Sequence, residues 1–398
     1  MKYLIVCDSA EINGGCSKVA IQTAVGLAKC GKEVIFFAGG GDNDPNLNHK
    51  NITIVNLKMK NLISGNKVKM FVDGVYNKKS KKEMIKLLTK LDLSKLIIHV
   101  HSWVKTLSPS IFDAFKKFNC KFFITIHDYF LACPNGGFFN YPKCKICKMN
   151  KVSLKCLTCN CDSRKYIYKI WRWFKFKKQQ KCLKKCKYYL IDISLFTQKY
   201  VHLNELNRYL LKNPIEMNYG EQLPNPQNGV YAFIGRLTRE KGIELFCSAM
   251  AKTGYEAYVY GSGQMLNKLK MQYINFRNIH FVGWLSTFEL KEEYKRIKAL
   301  IFPSMWYEGA PLSIPEVQSY GIPCIVSDAC SGKDYIYEGV NGFIFKDNNL
   351  ESLIEKINLF EKNKDYKTIR NDTYNIALNE NNTEKKYIDE LLEIYCKN

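Results

Sequence analysis

Glu308-Gly309-Ala310-Pro311-Leu312-Ser313-Ile314-Pro315-Glu316 is the stretch on which the reading of this chain turns. It follows the apolar run 299–302, and small residues with a proline separate its two carboxylates. An apolar run that ends in such a loop and leads into an apolar helix reads as a strand–loop–helix unit. The first acid then lies in the loop at the strand's carboxyl end. The second lies about one turn into the helix and faces the same crevice. Carboxylates are strong acceptors for hydroxyl donors. Backbone N–H groups in Gly309-Ala310-Pro311-Leu312, where a helix begins, can meet sugar or phosphate oxygens. A ligand with many hydroxyls and a phosphate, such as a sugar nucleotide, fits that pattern.

The same unit recurs on both sides. Short unbroken apolar runs at 230–234, 257–260, 279–282, 299–302 and 323–326 alternate with helical patterns near 243–251 and 287–297. Ser286 and Glu289 form a capping box for the latter. The first half carries similar runs at 3–7, 34–37, 52–55, 96–100 and 122–126, with Gly14-Gly15 turning the chain after the first. Runs of this kind suit parallel strands covered on both faces, and the βα alternation predicts an α/β, doubly wound fold. Residues 130–187, rich in Cys, Lys and aromatics, break the rhythm, and the run at 188–193 resumes it. Pro214 marks an interdomain connection. The Asn-rich segment 371–383 reads as loop-like at its end, and 385–395 as a terminal amphipathic helix.

Four motifs in chain order resemble those of the retaining glycosyltransferases of family 4 (group 1). They are Asn13-Gly14-Gly15, then Gly235-Arg236-Leu237 with Lys241-Gly242, then the Glu308-x7-Glu316 stretch, and then Tyr320-Gly321-Ile322-Pro323 with Val326-Ser327-Asp328. The resemblance covers nearly the whole chain and implies a GT-B fold of two Rossmann-like domains with a cleft between them. It places an acceptor domain at 1–212, containing the insertion 130–187, a nucleotide-sugar donor domain at 213–380, and a helix at 381–398 that crosses back to the first domain. Arg236 and Lys241 would neutralise the donor diphosphate, Glu308 would hold the donor sugar, Glu316 would accept the ribose hydroxyls, and His127 would be the active-site histidine. Gly14 and Gly15 would approach the phosphate or acceptor, Gly261 and Ser262 would border the nucleotide, and Gly283 would lie beside the base. The chain departs from the pattern at Cys330-Ser331-Gly332-Lys333-Asp334, where many relatives carry Gly-Gly…Glu, so the acidic role there falls to Asp334.

The implied activity is transfer of a sugar from a nucleotide-diphosphate donor to a hydroxyl acceptor, a glycan or a lipid-linked intermediate of surface polysaccharide, with retained anomeric configuration. No Asp-x-Asp motif appears, so no catalytic metal is expected. Other GT-B enzymes, a sugar-nucleotide epimerase or a phosphorylase, remain open.

Sixteen cysteines in a chain without an export signal point to metal rather than disulfides. Cys144-x2-Cys147-x8-Cys156-x2-Cys159 has the spacing of two metal knuckles and predicts a structural zinc. An iron–sulfur cluster or unligated thiols stay open, with Cys133 and Cys161 as substitutes. The net charge of +23 calls for an anionic partner. Aromatics mixed with lysines over 165–187 suit an anionic bilayer surface, and equally a helix packed on its own domain with a solvated basic face. No nucleic acid is expected, because the glutamates of the crevice would repel a phosphate backbone. With no apolar run near 18 residues, the protein is expected in the cytoplasm or on the inner face of the cell membrane.

Overall fold

A computed structural model describes residues 1–59, 67–149, 152–203, 206–216, 220, 222–226, 228–362, 365–380 and 383–398. The chain divides into two compact units. One comprises 1–137, 149–214 and 382–398, and the other 138–148 and 215–381. Residues 138–148 thus group with the second unit, although the sequence assigns all of 130–187 to the first. The expected boundary at 380/381 ends outside the described residues.

The first unit is built on β1 (Lys2–Ser9), β2 (Glu33–Gly40), β3 (Ile52–Asn56), β4 (Leu96–Val100) and β5 (Lys121–Ile126). A short hairpin, β6 (Phe139–Asn140) and β7 (Lys145–Ile146), belongs to the other unit; β8 (Lys187–Asp192) and β9 (Arg208–Leu210) complete the sheet. Its order is β3-β2-β1-β4-β5-β8-β9, and every pairing is parallel. β1 is buried from Tyr3 to Ser9, as a central strand covered on both faces must be. The C-terminal helix Glu384–Cys396 packs on this unit: its Ile388 reaches Gly26 of the helix Gly15–Lys29, where a Cβ would stand 2.6 Å from Ile388. Tyr387 Oη also meets Thr23 Oγ1 at 3.0 Å.

The second unit carries β10 (Val230–Ile234), β11 (Ala257–Tyr260), β12 (Ile279–Gly283), β13 (Ile297–Phe302), β14 (Cys324–Ser327) and β15 (Gly342–Phe345), all parallel, in the order β12-β11-β10-β13-β14-β15. Alternate side chains supply two cores. Tyr231, Phe233, Ala299 and Ile301 pack with helices Ile243–Thr253 and Leu350–Lys362 on one face. Ala232, Leu300 and Phe302 pack with Ile314 and Val317 of the helix Ser313–Gln318 on the other. Each large apolar side chain so buried contributes roughly 1.5–3 kcal/mol. Both sheets therefore match the doubly wound expectation.

Residues 371–380 continue the helix Tyr366–Glu380, where buried Ile369, Arg370, Thr373 and Ala377 hold an i, i+4 stripe against the unit, while positions 381–382 at the end of that segment, read as loop-like, lie outside the described residues. The segment 130–187 contains an 18-residue helix, Tyr166–Leu183.

Candidate active site

In the second sheet the chain passes from β10 outward through β11 to β12, then returns to lay β13 on the other side of β10. That reversal leaves a gap beyond the carboxyl ends of β10 and β13, where ligands of such sheets sit. Gly235-Arg236 follows β10 and Glu308 lies in the loop after β13, so they flank this point. A short turn, Arg239–Lys241, is pinned beneath the β13 loop by Met305 N donating to Glu240 O (2.8 Å). Gly242 next to it has φ +72°, and a Cβ there would stand 1.9 Å from Pro303 O. Only glycine lets the two segments close.

This closure joins Lys241 to Glu308. Lys241 Nζ lies 2.5 Å from Glu308 Oε1, and Ser304 Oγ (2.7 Å) and Trp306 Nε1 (2.6 Å) donate to the same oxygen. Glu308 Oε2 makes no hydrogen bond among the described residues. Burial pushes the Glu308 carboxyl up, but Lys241, Trp306 and Ser304 together outweigh it and hold the group below the ordinary carboxylate value. Arg236 is exposed and lies 3.8 Å from Glu240. Glu316 is half-buried in the first turn of its helix. Gly309 and Pro311 are buried between them, and Ala310 and Leu312 are half-buried. Ser331 N donates to Glu308 O (3.4 Å), so the divergent Cys330–Asp334 segment abuts the glutamate, while Asp334 is exposed.

Gly261 and Ser262 follow β11 directly. Gly261 N donates to Gly283 O (2.6 Å), Leu237 N to Ser262 O (2.9 Å), and a Cβ on Gly261 would stand 1.9 Å from Gly235 O. Gly235, Gly261 and Gly283 thus stitch together the carboxyl ends of β10, β11 and β12.

The first unit has its own reversal between β1 and β4. A cavity of about 110 Å³ opens there, lined among others by Asp8, Glu11, Asn13, Ser102, Lys105 and Asp128. Asp8, at the end of β1, accepts N–H bonds from Lys105, Thr106 and Leu107 (2.8–2.9 Å) and so holds the loop after β4. Gly14 and Gly15 are exposed at the mouth of the helix that follows β1; Gly14 takes φ +154°, with open space where a Cβ would point. His127 and Asp128 follow β5 and line a smaller adjoining void. Burial pushes Asp128 up to about 6 and His127 down to about 3. His127 is therefore a neutral imidazole at neutral pH. His101 Nδ1 lies 2.9 Å from His127 Nε2.

The structure joins Lys241 with Glu308 in the second unit and His127 with His101 in the first. Sequence reasoning left Asp8, Ser304 and Trp306 out of the site, and weighed His101 evenly between facing the cleft and a satisfied core or rim position. A polar residue closing an apolar strand run, as Asp8 and His101 do, was the available signal.

The structure gives the zinc expectation no support. Among the described residues no three His, Cys, Asp or Glu side chains gather as a metal ion would require. The expected thiols take other partners instead. Cys156 Sγ accepts from the buried Lys169 ammonium (3.2 Å), and Cys144 Sγ bonds Tyr141 O (3.5 Å) and lies 3.8 Å from Arg239 Nη1. Cys144 and Cys147 belong to one unit, Cys156 and Cys159 to the other.

The profile of the Glycosyl transferases group 1 family matches residues 218–377. That match spans about two fifths of the chain. The Escherichia coli UDP-Gal:alpha-D-GlcNAc-diphosphoundecaprenol alpha-1,3-galactosyltransferase is 28% identical over 42% of this chain and 45% of its own length. The Salmonella typhimurium lipopolysaccharide 1,6-galactosyltransferase is 28% identical over 34% of this chain and 41% of its own. The chain thus spans less than half the length of these relatives. Anabaena HepE, crystallised with UDP-glucose, superposes over 100% of both chains with a TM-score of 0.71 at 13% identity. At that identity the likeness shows the fold, which is GT-B.

Proposed function

We propose that the protein is a retaining, metal-independent glycosyltransferase of family 4 that moves a sugar from a nucleotide-diphosphate donor to a hydroxyl of a glycan or lipid-linked acceptor. One observation carries the reading: Lys241 and Glu308 are paired beyond the strand ends at a sheet's reversal point, and Glu308 keeps one oxygen unbonded among the described residues. The donor diphosphate lies against Lys241 and Arg236, and Glu308 Oε2 accepts a hydroxyl of the donor sugar. Glu316 accepts the ribose hydroxyls. The glycine-stitched edge at Gly261, Ser262 and Gly283 admits the nucleotide, with open space where a Cβ on Gly283 would point.

As the bond from the anomeric carbon to the phosphate oxygen breaks, negative charge grows on the diphosphate, and the two cations stabilise it. The acceptor hydroxyl attacks the same face, and the departing phosphate oxygen takes its proton. The protein supplies alignment and charge, not a covalent nucleophile. The acceptor sits in the first unit's cavity, on the carboxylates of Asp8, Glu11 and Asp128; Gly14 and Gly15 approach the phosphate or acceptor, and neutral His127 bonds a sugar or phosphate oxygen. The E. coli relative acts on a diphosphoundecaprenol-linked sugar, which supports a lipid-linked acceptor for this chain. No helix among the described residues is long and apolar enough to cross a membrane. We place the protein in the cytoplasm, at the inner membrane face, through the exposed side of Tyr166–Leu183.

The deciding experiment incubates the protein with UDP-, GDP- and ADP-sugars and reads nucleoside diphosphate release and thermal stabilisation. Release that disappears in Glu308→Ala, with the melting transition retained, supports the reading. Absence of both stabilisation and release with every donor overturns it.

A further inference from the structure

His101 follows β4, is 2% exposed, and anchors its backbone N to Val6 O (2.8 Å). Its ring lies between two other imidazoles. On one side His99 lies tilted by 36° at a centroid distance of 4.2 Å, and on the other His127 lies nearly parallel, 22° off plane, with His101 Nδ1 to His127 Nε2 at 2.9 Å. His99 has both nitrogens committed, Nδ1 to Tyr395 Oη (2.6 Å) and Nε2 to Thr125 Oγ1 (2.7 Å). It can therefore brace the His101 ring but cannot bond it.

Two neutral imidazoles at hydrogen-bond distance share one proton. If His127 donated from Nε2, His101 would carry its own proton on Nε2. That atom is buried and makes no hydrogen bond among the described residues. If His101 donates from Nδ1, the same buried Nε2 is a bare lone pair. A buried orphan N–H is the rarer and costlier state. The pair therefore settles with the proton on His101 Nδ1, and His127, its Nε2 occupied as acceptor, carries its proton on Nδ1. His127 Nδ1 makes no hydrogen bond among the described residues.

We infer that His101 is a positioning residue that locks His127, through the Nδ1–Nε2 contact, in the tautomer whose free nitrogen is an N–H donor. His127 then addresses an oxygen that gains negative charge, such as a phosphate oxygen or a sugar oxygen, and cannot act as a base toward the acceptor. The ligand side of this inference rests on the reading of His127 given above; the tautomer does not.

Full-length protein with ¹⁵N-labelled histidine, observed at pH 7 by long-range ¹H–¹⁵N correlation, reads the tautomer without any substrate. The expected spectrum has His127 protonated at Nδ1 and bare at Nε2; protonation at Nε2 overturns the inference. His101→Phe keeps the ring and removes the donor, so His127 reverts toward Nε2–H. Sugar transfer then falls about a hundredfold in kcat, as loss of one aligned donor does, with the donor KM little changed. His101→Asn, whose amide N–H can replace Nδ1–H, restores most of kcat. A His101→Phe enzyme with unchanged kcat refutes the positioning role. If His127→Phe itself keeps full turnover, the ligand role of His127 fails while the tautomer result still stands. If no nucleotide sugar is turned over, the proposed function fails and the spectrum alone decides the pair.

Discussion

Lys241 Nζ lies 2.5 Å from Glu308 Oε1, a contact between the turn after β10 and the loop after β13. Ser304 and Trp306 converge on the same oxygen. The pair is mostly out of solvent, so it is both a structural clamp and a charged site. Lys241→Ala leaves the Glu308 carboxylate short of its cation and should destabilise the protein by about 2–4 kcal/mol. Lys241→Met with Glu308→Gln should recover most of that stability and none of the turnover. Urea unfolding and nucleotide release, measured on both variants, check this; a double variant with restored turnover contradicts it.

The same carboxylate makes stability depend on pH. Its folded pKa is depressed, so its contribution is fully present above the ordinary glutamate value and is lost as pH falls through the folded value. The difference in urea midpoint between wild type and Glu308→Gln should shrink as pH drops from 6 toward 3. A constant difference would show that Lys241 and its neighbours do not favour the ionised form.

Asp128 behaves oppositely, because burial pushes it up to about 6. The folded protein binds its proton between roughly pH 4 and 6 while the unfolded chain has released it, so this group removes stability as pH rises through that window. If the ionised form serves the acceptor, kcat/KM falls below about pH 6. Asp128→Asn should flatten that limb of the profile. Retention of the limb in the variant would assign it elsewhere.

Gly261→Ala brings a Cβ to 1.9 Å from Gly235 O at φ +138°. Backbone must move where three strand ends are stitched, so a loss of about 2 kcal/mol or more is expected. Donor-induced thermal stabilisation should fall with it. Calorimetry with and without UDP-sugar measures both.

The helix Tyr166–Leu183 turns Lys169, Lys175, Phe176 and Gln179 inward and leaves Ile167 and Phe174 more than half exposed. Exposed Lys177, Lys181, Lys184 and Lys185 accompany them. Sedimentation with phosphatidylglycerol vesicles should capture the protein, and Ile167→Ser with Phe174→Ser should reduce capture about tenfold or more. Equal capture by neutral phosphatidylcholine, or no loss in the variant, removes the membrane role.

Amino-acid order alone carried the alternation of apolar runs and helical periods, and with it the parallel α/β class and the placing of Gly235-Arg236 and Glu308 at strand ends, because side-chain period and turn chemistry are local properties. Order also showed Cys144, Cys147, Cys156 and Cys159 as a spaced set, but spacing cannot tell whether thiols converge or whether Lys169 and other groups take them one by one. The order of strands in each sheet, the meeting of Lys241 with Glu308 across 67 positions, and that of His101 with His127 across 26 were set only by packing. Such contacts join segments brought together by burying both faces of a sheet, and that burial is a property of the whole unit, not of any window along the chain.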